Sequence, residues 1–104
     1  MKKIINNCKY DTDKAECVAH YYNAYARSDF NSIDEQLYRT GRDNWFIVGE
    51  GGAKTRYARP VGTGGMSGGE ALIALTDDEA YDWLEKHDEI EAIEKYFYEY
   101  FEEA

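Results

Sequence analysis

From Thr76 to Ala104, apolar side chains recur every three or four residues with polar positions between them. Ala80, Trp83, Leu84 and His87 form one such stripe, and Ile90, Ile93, Phe97, Tyr100 and Phe101 form a second. That period predicts two amphipathic helices. Thr76 with Glu79 matches the capping box, in which hydroxyl and carboxylate satisfy the free N–H groups of the first turn. Asp88 with Glu91 repeats the pattern, so a break is expected near His87 and Asp88, with an aromatic, acidic helix over residues 88–104.

Upstream the pattern changes. Lys2 to Tyr10 reads as a hairpin, with β-branched Ile4 and Ile5 and an Asn6-Asn7 turn that tolerates positive φ. Ala15, Val18, Ala19 and Tyr22 lie near one helical face, which predicts a helix over Asp13 to Ala26 capped by Asp11 or Thr12. Tyr21, Tyr22 and Tyr25 read as packing residues with their hydroxyls at the rim. Residues 27–33 form a loop. Glu35–Thr40 and Asn44–Gly49 read as strands joined at Gly41-Arg42-Asp43. The run Trp45-Phe46-Ile47-Val48 suits a central strand covered on both faces. Gly49 to Gly69 holds eight of the nine glycines and the only proline, and predicts a long loop. Ala71–Leu75 is a short apolar strand leading into Thr76. The expected architecture is α+β: a small antiparallel sheet of four or five strands, helices packed on one face, and acidic C-terminal helices, all in one domain over residues 1–104.

Charge sharpens this picture. Of 104 residues, 21 are Asp or Glu and 12 are Lys or Arg, a net charge of −9. Residues 1–60 are net +2 and residues 61–104 net −11. Thr76–Ala104 alone holds twelve acids against Lys86 and Lys95. Such a charge opposes unaided binding to nucleic acid and permits plain solubility, a basic partner, or mimicry of nucleic acid toward a nucleic-acid-binding protein. No apolar run reaches the roughly 20 residues of a membrane span. The opening MKKIINNCKY lacks the apolar core and cleavage site of a signal peptide, which points to the cytoplasm. Cys8 and Cys17 then read as reduced, buried or half-buried thiols.

Catalytic and cofactor signatures fail on inspection. In GEGGAKT, Ala53 stands where a phosphate-binding loop needs glycine before the lysine. Ser67 lacks the flanks of a nucleophile elbow. Cys8, Cys17 and His20 do not match zinc spacings, and the acids lack calcium-loop spacing. No enzyme activity, cofactor or metal is expected. A ligand site built from the glycine loop with Lys54, Arg56 and Arg59 is a lesser alternative.

LYRTGRDNWFIVGEGGAKTRYA (residues 37–58) and SGGEALIALTDDEAYDWLEKH (residues 67–87), with the opening KKIINNCKYDTDKAE, resemble a family of small proteins carried by phages and other bacterial mobile elements. The resemblance reaches to about His87 and brings no catalytic residues. It implies an anti-defence or regulatory role in the bacterial cytoplasm. It also implies kinship of behaviour with anti-CRISPR inhibitors, some of which present themselves as DNA to their target. On that basis the expected function is non-enzymatic: an acidic DNA mimic that occupies the DNA-binding groove of a CRISPR effector subunit or of another nucleic-acid-binding protein. The carboxylates facing away from the two stripes, Asp78, Asp82, Glu85, Asp88, Glu91, Glu99 and Glu102, are the expected partner-binding residues. The alternative is a mobile-element accessory protein that self-associates through Tyr96, Tyr98, Tyr100 and Phe101.

Overall fold

The computed structural model describes every residue except Ala24 and Arg27. It is an α+β fold. Strands β3 (Glu16–Tyr22), β4 (Ile33–Arg39), β5 (Trp45–Gly51) and β8 (Gly69–Leu75) form an antiparallel sheet in the order β3-β4-β5-β8. Two small hairpins, β1 (Lys2–Ile5) with β2 (Cys8–Asp11) and β6 (Arg59–Pro60) with β7 (Met66–Ser67), stand apart from it. Helices α1 (Asp77–Lys86) and α2 (Ile90–Tyr96) close the chain.

The first hairpin is as expected. Asn6 and Asn7 both take positive φ, 50° and 67°, the paired left-handed geometry of a tight two-residue turn. Its Tyr10 meets the fully buried Phe46 edge-on at 5.4 Å, and Tyr38 stacks on the same ring at 5.1 Å. The hairpin therefore covers one face of the sheet. The helices cover the other. There Ala19, Leu37, Trp45 and Ile47 pack against Ala80, Trp83, Leu84 and Phe97. Trp45 and Ile47 point to the helices while Phe46 points to the hairpin, so the apolar run is a strand covered on both faces. Burying side chains of this size stabilises by about 1.5–3 kcal/mol each.

The helix expected over Asp13–Ala26 is not formed. Its described centre is strand β3, while Ala24, and Arg27 of the expected loop, lie outside the described residues. A register shift in β3 between Cys17 and Ala19 leaves Val18 as an extra residue, so Val18 and Ala19 both pack toward the helices and break the two-residue alternation that marks a strand, whereas Tyr22 lies on the other face. Asp11 does accept a hydrogen bond from the Asp13 N–H at 3.0 Å, but this closes a turn before the strand and caps no helix.

The expected glycine loop is shorter than its sequence suggests. Its first residues continue β5 to Gly51, its last begins β8, and the middle carries the β6–β7 hairpin.

At the C-terminus, α1 begins as expected. Glu79 N–H donates to the Thr76 hydroxyl at 3.1 Å, and Thr76 N–H donates to the Glu79 carboxylate at 2.8 Å. Asp88, expected to cap the second helix, instead ends the first. Its φ is 55°, Glu89 N–H reaches Leu84 O at 2.9 Å, and Asp88 N–H reaches Glu85 O at 3.2 Å. This pair of bonds over a left-handed residue is a Schellman motif. The helix expected over residues 88–104 is also shorter, since α2 ends at Tyr96 and residues 98–104 are non-helical. Phe97 turns into the core, stacking on Trp45 at 5.2 Å, and the aromatic run that follows has weak helix propensity.

Candidate functional site

The seven carboxylates singled out in the sequence all lie exposed. Asp78, Asp82 and Glu85 stand on α1, opposite the buried Ala80, Trp83 and Leu84. Asp88 sits at the helix break and Glu91 in the first turn of α2. Glu99 and Glu102 are on the non-helical tail. They do not line one long helix. The tail instead returns toward α1, where Tyr100 packs on Tyr81 with ring centroids 5.1 Å apart. Burial and the nearby Asp78 and Asp77 raise the Tyr100 hydroxyl above its ordinary pKa. The tail at Tyr100 thus lies by the first turn of α1, near Asp77 and Asp78.

Between Asp77 and Glu103 every acid except the half-buried Glu89 is exposed. Among the described residues, none of these twelve carboxylates forms an ion pair with Lys, Arg or His. Lys95 pairs instead with Glu16 of β3, at 3.9 Å. The glutamate of the capping box is held below the ordinary carboxylate range by its hydrogen bonds with Thr76.

The aromatic residues considered for self-association are largely committed within the fold. Tyr96 donates its hydroxyl to Glu16 at 2.5 Å and lies under the Arg39 guanidinium at 4.8 Å. Tyr100 packs on Phe97 and Tyr81. Tyr98, 66% exposed, points outward.

The cations of the glycine-rich segment do not converge. Arg59 donates to the Glu70 carbonyl at 2.6 Å, Arg56 stands 3.7 Å from Glu35, and Lys54 is exposed elsewhere on the segment. Cys8 and Cys17 are free and exposed, contrary to the expectation of buried or half-buried thiols, because both fall on strands at the margin of the fold. His20 lies on a strand rather than a helix, with Nε2 2.7 Å from Asp34 Oδ1.

Sequence reasoning missed one cluster. Glu35 of β4 is buried on the helix side of the sheet. Its carboxylate accepts the Tyr57 hydroxyl at 2.5 Å and the Trp83 indole N–H at 3.0 Å. Tyr57 is itself buried, and burial together with Glu35 pushes its hydroxyl far above the ordinary tyrosine value. Glu35 pairs across the ladder with Gly49, and a Cβ at Gly49 would stand 2.0 Å from the Tyr57 hydroxyl. The glycine therefore opens the space through which Tyr57 reaches the carboxylate. The available signal was phase, since Glu35 alternates with the apolar inward position Leu37. Beside this cluster, His87 is stacked on Tyr21 at 3.9 Å and meets Trp83 edge-on at 4.5 Å. Its Nε2 is buried with no hydrogen-bond partner among the described residues, and burial lowers its pKa.

Three further clefts are open to solvent. One of about 310 Å³ lies at the end of the sheet among Tyr22, Tyr25, Asp34, Glu50 and Glu70. A second, of about 220 Å³, lies where α2 meets the start of β3. A third, of about 260 Å³, lies beside Arg56, Trp83 and Lys86. Among the described residues no group of three or more His, Cys, Asp and Glu is placed to hold a metal ion, and no helix is long and apolar enough to cross a membrane. Comparison with protein-family models, with characterised proteins and with solved structures finds no match to this chain.

Proposed function

We propose that the protein is a non-enzymatic binding protein whose C-terminal carboxylates dock on the basic, nucleic-acid-accepting surface of another protein. One observation carries this reading: the acids of Asp77–Glu103 are almost all exposed and none is neutralised by an ion pair among the described residues. A surface of this kind attracts a Lys/Arg-lined groove over long range, raises the association rate and excludes acidic partners. Its affinity falls as salt screens the charges. The sequence resemblance to mobile-element proteins makes a CRISPR effector subunit the first partner to try. In that setting the protein would compete with DNA in the bacterial cytoplasm.

The test is capture of purified effector complexes on the immobilised protein, with DNA as competitor and washes of rising salt. Salt-sensitive capture that DNA displaces is expected. The triple variant Asp82→Lys, Glu85→Lys, Glu102→Lys is expected to fold and to lose capture, because these three side chains serve no cap or core contact. Retained capture by this variant, or capture that DNA does not displace, would overturn the reading.

A further inference from the structure

The sheet has two edges, and the fold treats them differently. Edge strand β8 is approached at its first two residues by the chain around Tyr57 and Arg59. Arg59 donates to the Glu70 carbonyl at 2.6 Å, and the chain around Tyr57 passes so close that a Cβ at Gly69 would stand 2.5 Å from the Tyr57 carbonyl oxygen. Among the described residues, edge strand β3 pairs only with β4. Asn23 N–H donates to Ile33 O, so Asn23 faces β4. Strand alternation then turns the peptide groups of Tyr21 toward β4 and those of Tyr22 and His20 outward. An outward row of N–H and C=O groups is a template for a further strand.

We propose that the outer edge of β3 is a docking site for an extended, basic segment of a partner protein, which adds a fifth strand to the sheet. Charge identifies the occupant. At the Tyr22 end of β3 the 310 Å³ cleft opens onto Glu70 and onto Asp34, whose carboxylate already meets His20 at 2.7 Å. Tyr22 and Tyr25, 54% and 51% exposed, present rings beside them, an arrangement suited to a guanidinium or ammonium group. At the Glu16 end, Glu89 and Glu91 line the second cleft with Lys95. The seven residues of β3 span about 20 Å between the two. The clefts open on opposite faces of the sheet: Tyr22 pairs with Asp34 on the hairpin side, whereas Glu16 pairs with Arg39, which lies over Trp45 and Tyr96 on the helix side. The partner segment thus carries a basic residue at each end, on opposite sides of its strand. A second copy of this chain is the wrong occupant, since each copy brings acidic clefts and a charge of −9.

This site is separate from the function proposed above and does not depend on it. The probe is a nine-residue peptide of alternating valine and threonine with two arginines at each end. Binding by calorimetry is expected to weaken with salt, and amide exchange at His20 and Tyr22 to slow at least tenfold. The same peptide N-methylated at alternate residues, or ended in glutamates, is expected not to bind. The double variant Asp34→Asn, Glu70→Gln is expected to weaken binding at least tenfold. The C-terminal triple reversal is expected to leave it unchanged, which separates the two proposals. Four outcomes would overturn the inference: no binding; equal binding of the N-methylated peptide; binding without protection at His20 and Tyr22; or a dimer that already protects those amides.

Discussion

Tyr57 donates its hydroxyl to Glu35 at 2.5 Å, and through that bond the glycine-rich segment is tied to the sheet. The same carboxylate accepts from Trp83 of α1 at 3.0 Å, so one buried side chain links three parts of the chain. Replacing Glu35 with Ala leaves the two buried donors without an acceptor, which costs about 1–3 kcal/mol for each unsatisfied group. A matching fall in stability in urea titration is expected. Tyr57→Phe is expected to cost less, because Glu35 keeps Trp83 and the nearby Arg56.

Gly49→Ala tests the same link from the other side. The new methyl would occupy the position of the Tyr57 hydroxyl, so the ring must leave its site. A loss of about 1–3 kcal/mol is expected from this overpacking. In the Tyr57→Ala background the same substitution should be nearly neutral, which thermal unfolding of the two pairs would check.

His87 predicts a pH dependence. Burial lowers its folded-state pKa, so near pH 6 the unfolded chain binds more protons than the folded one. Stability is therefore present above the unfolded value of about 6.5 and is lost as pH falls below it. Lys86 adds to the lowering, while Glu35, Glu89 and Asp88 oppose it. His87→Phe is expected to flatten the stability profile between pH 7 and 5, leaving the loss at lower pH to which Glu79, held below the ordinary carboxylate range by its bonds with Thr76, contributes. An unchanged profile would refute the assignment.

Asp88 holds a left-handed conformation that glycine adopts without cost. Asp88→Gly is expected to stabilise the chain by about 1 kcal/mol, read as a higher Tm. Thr76→Ala, which removes the opposite cap of α1, is expected to cost about 1 kcal/mol.

Much of the fold was legible because it rests on local rules. The Asn6-Asn7 turn follows from side chains that tolerate positive φ, the start of α1 from a reciprocal cap within four residues, and the path of Trp45–Val48 from an apolar run too short for a helix. The exposure of the seven acids follows from helical phase on α1, and on the tail from charge alone.

What the chain's own order of residues determined, then, is the set of local elements and the uneven distribution of charge. Only the tertiary structure decided the rest. Val18 became the extra residue of a strand because β4 offered a partner, which no local pattern reports. Phe97 left its helix because Trp45, 52 positions earlier in the sequence, supplied a better surface than the next helical turn. Glu35 was drawn inside because Tyr57 and Trp83 converge on it from distant segments. Each outcome compares a local preference worth a fraction of a kcal/mol per residue with packing and hydrogen bonding worth more, and the larger contribution prevails.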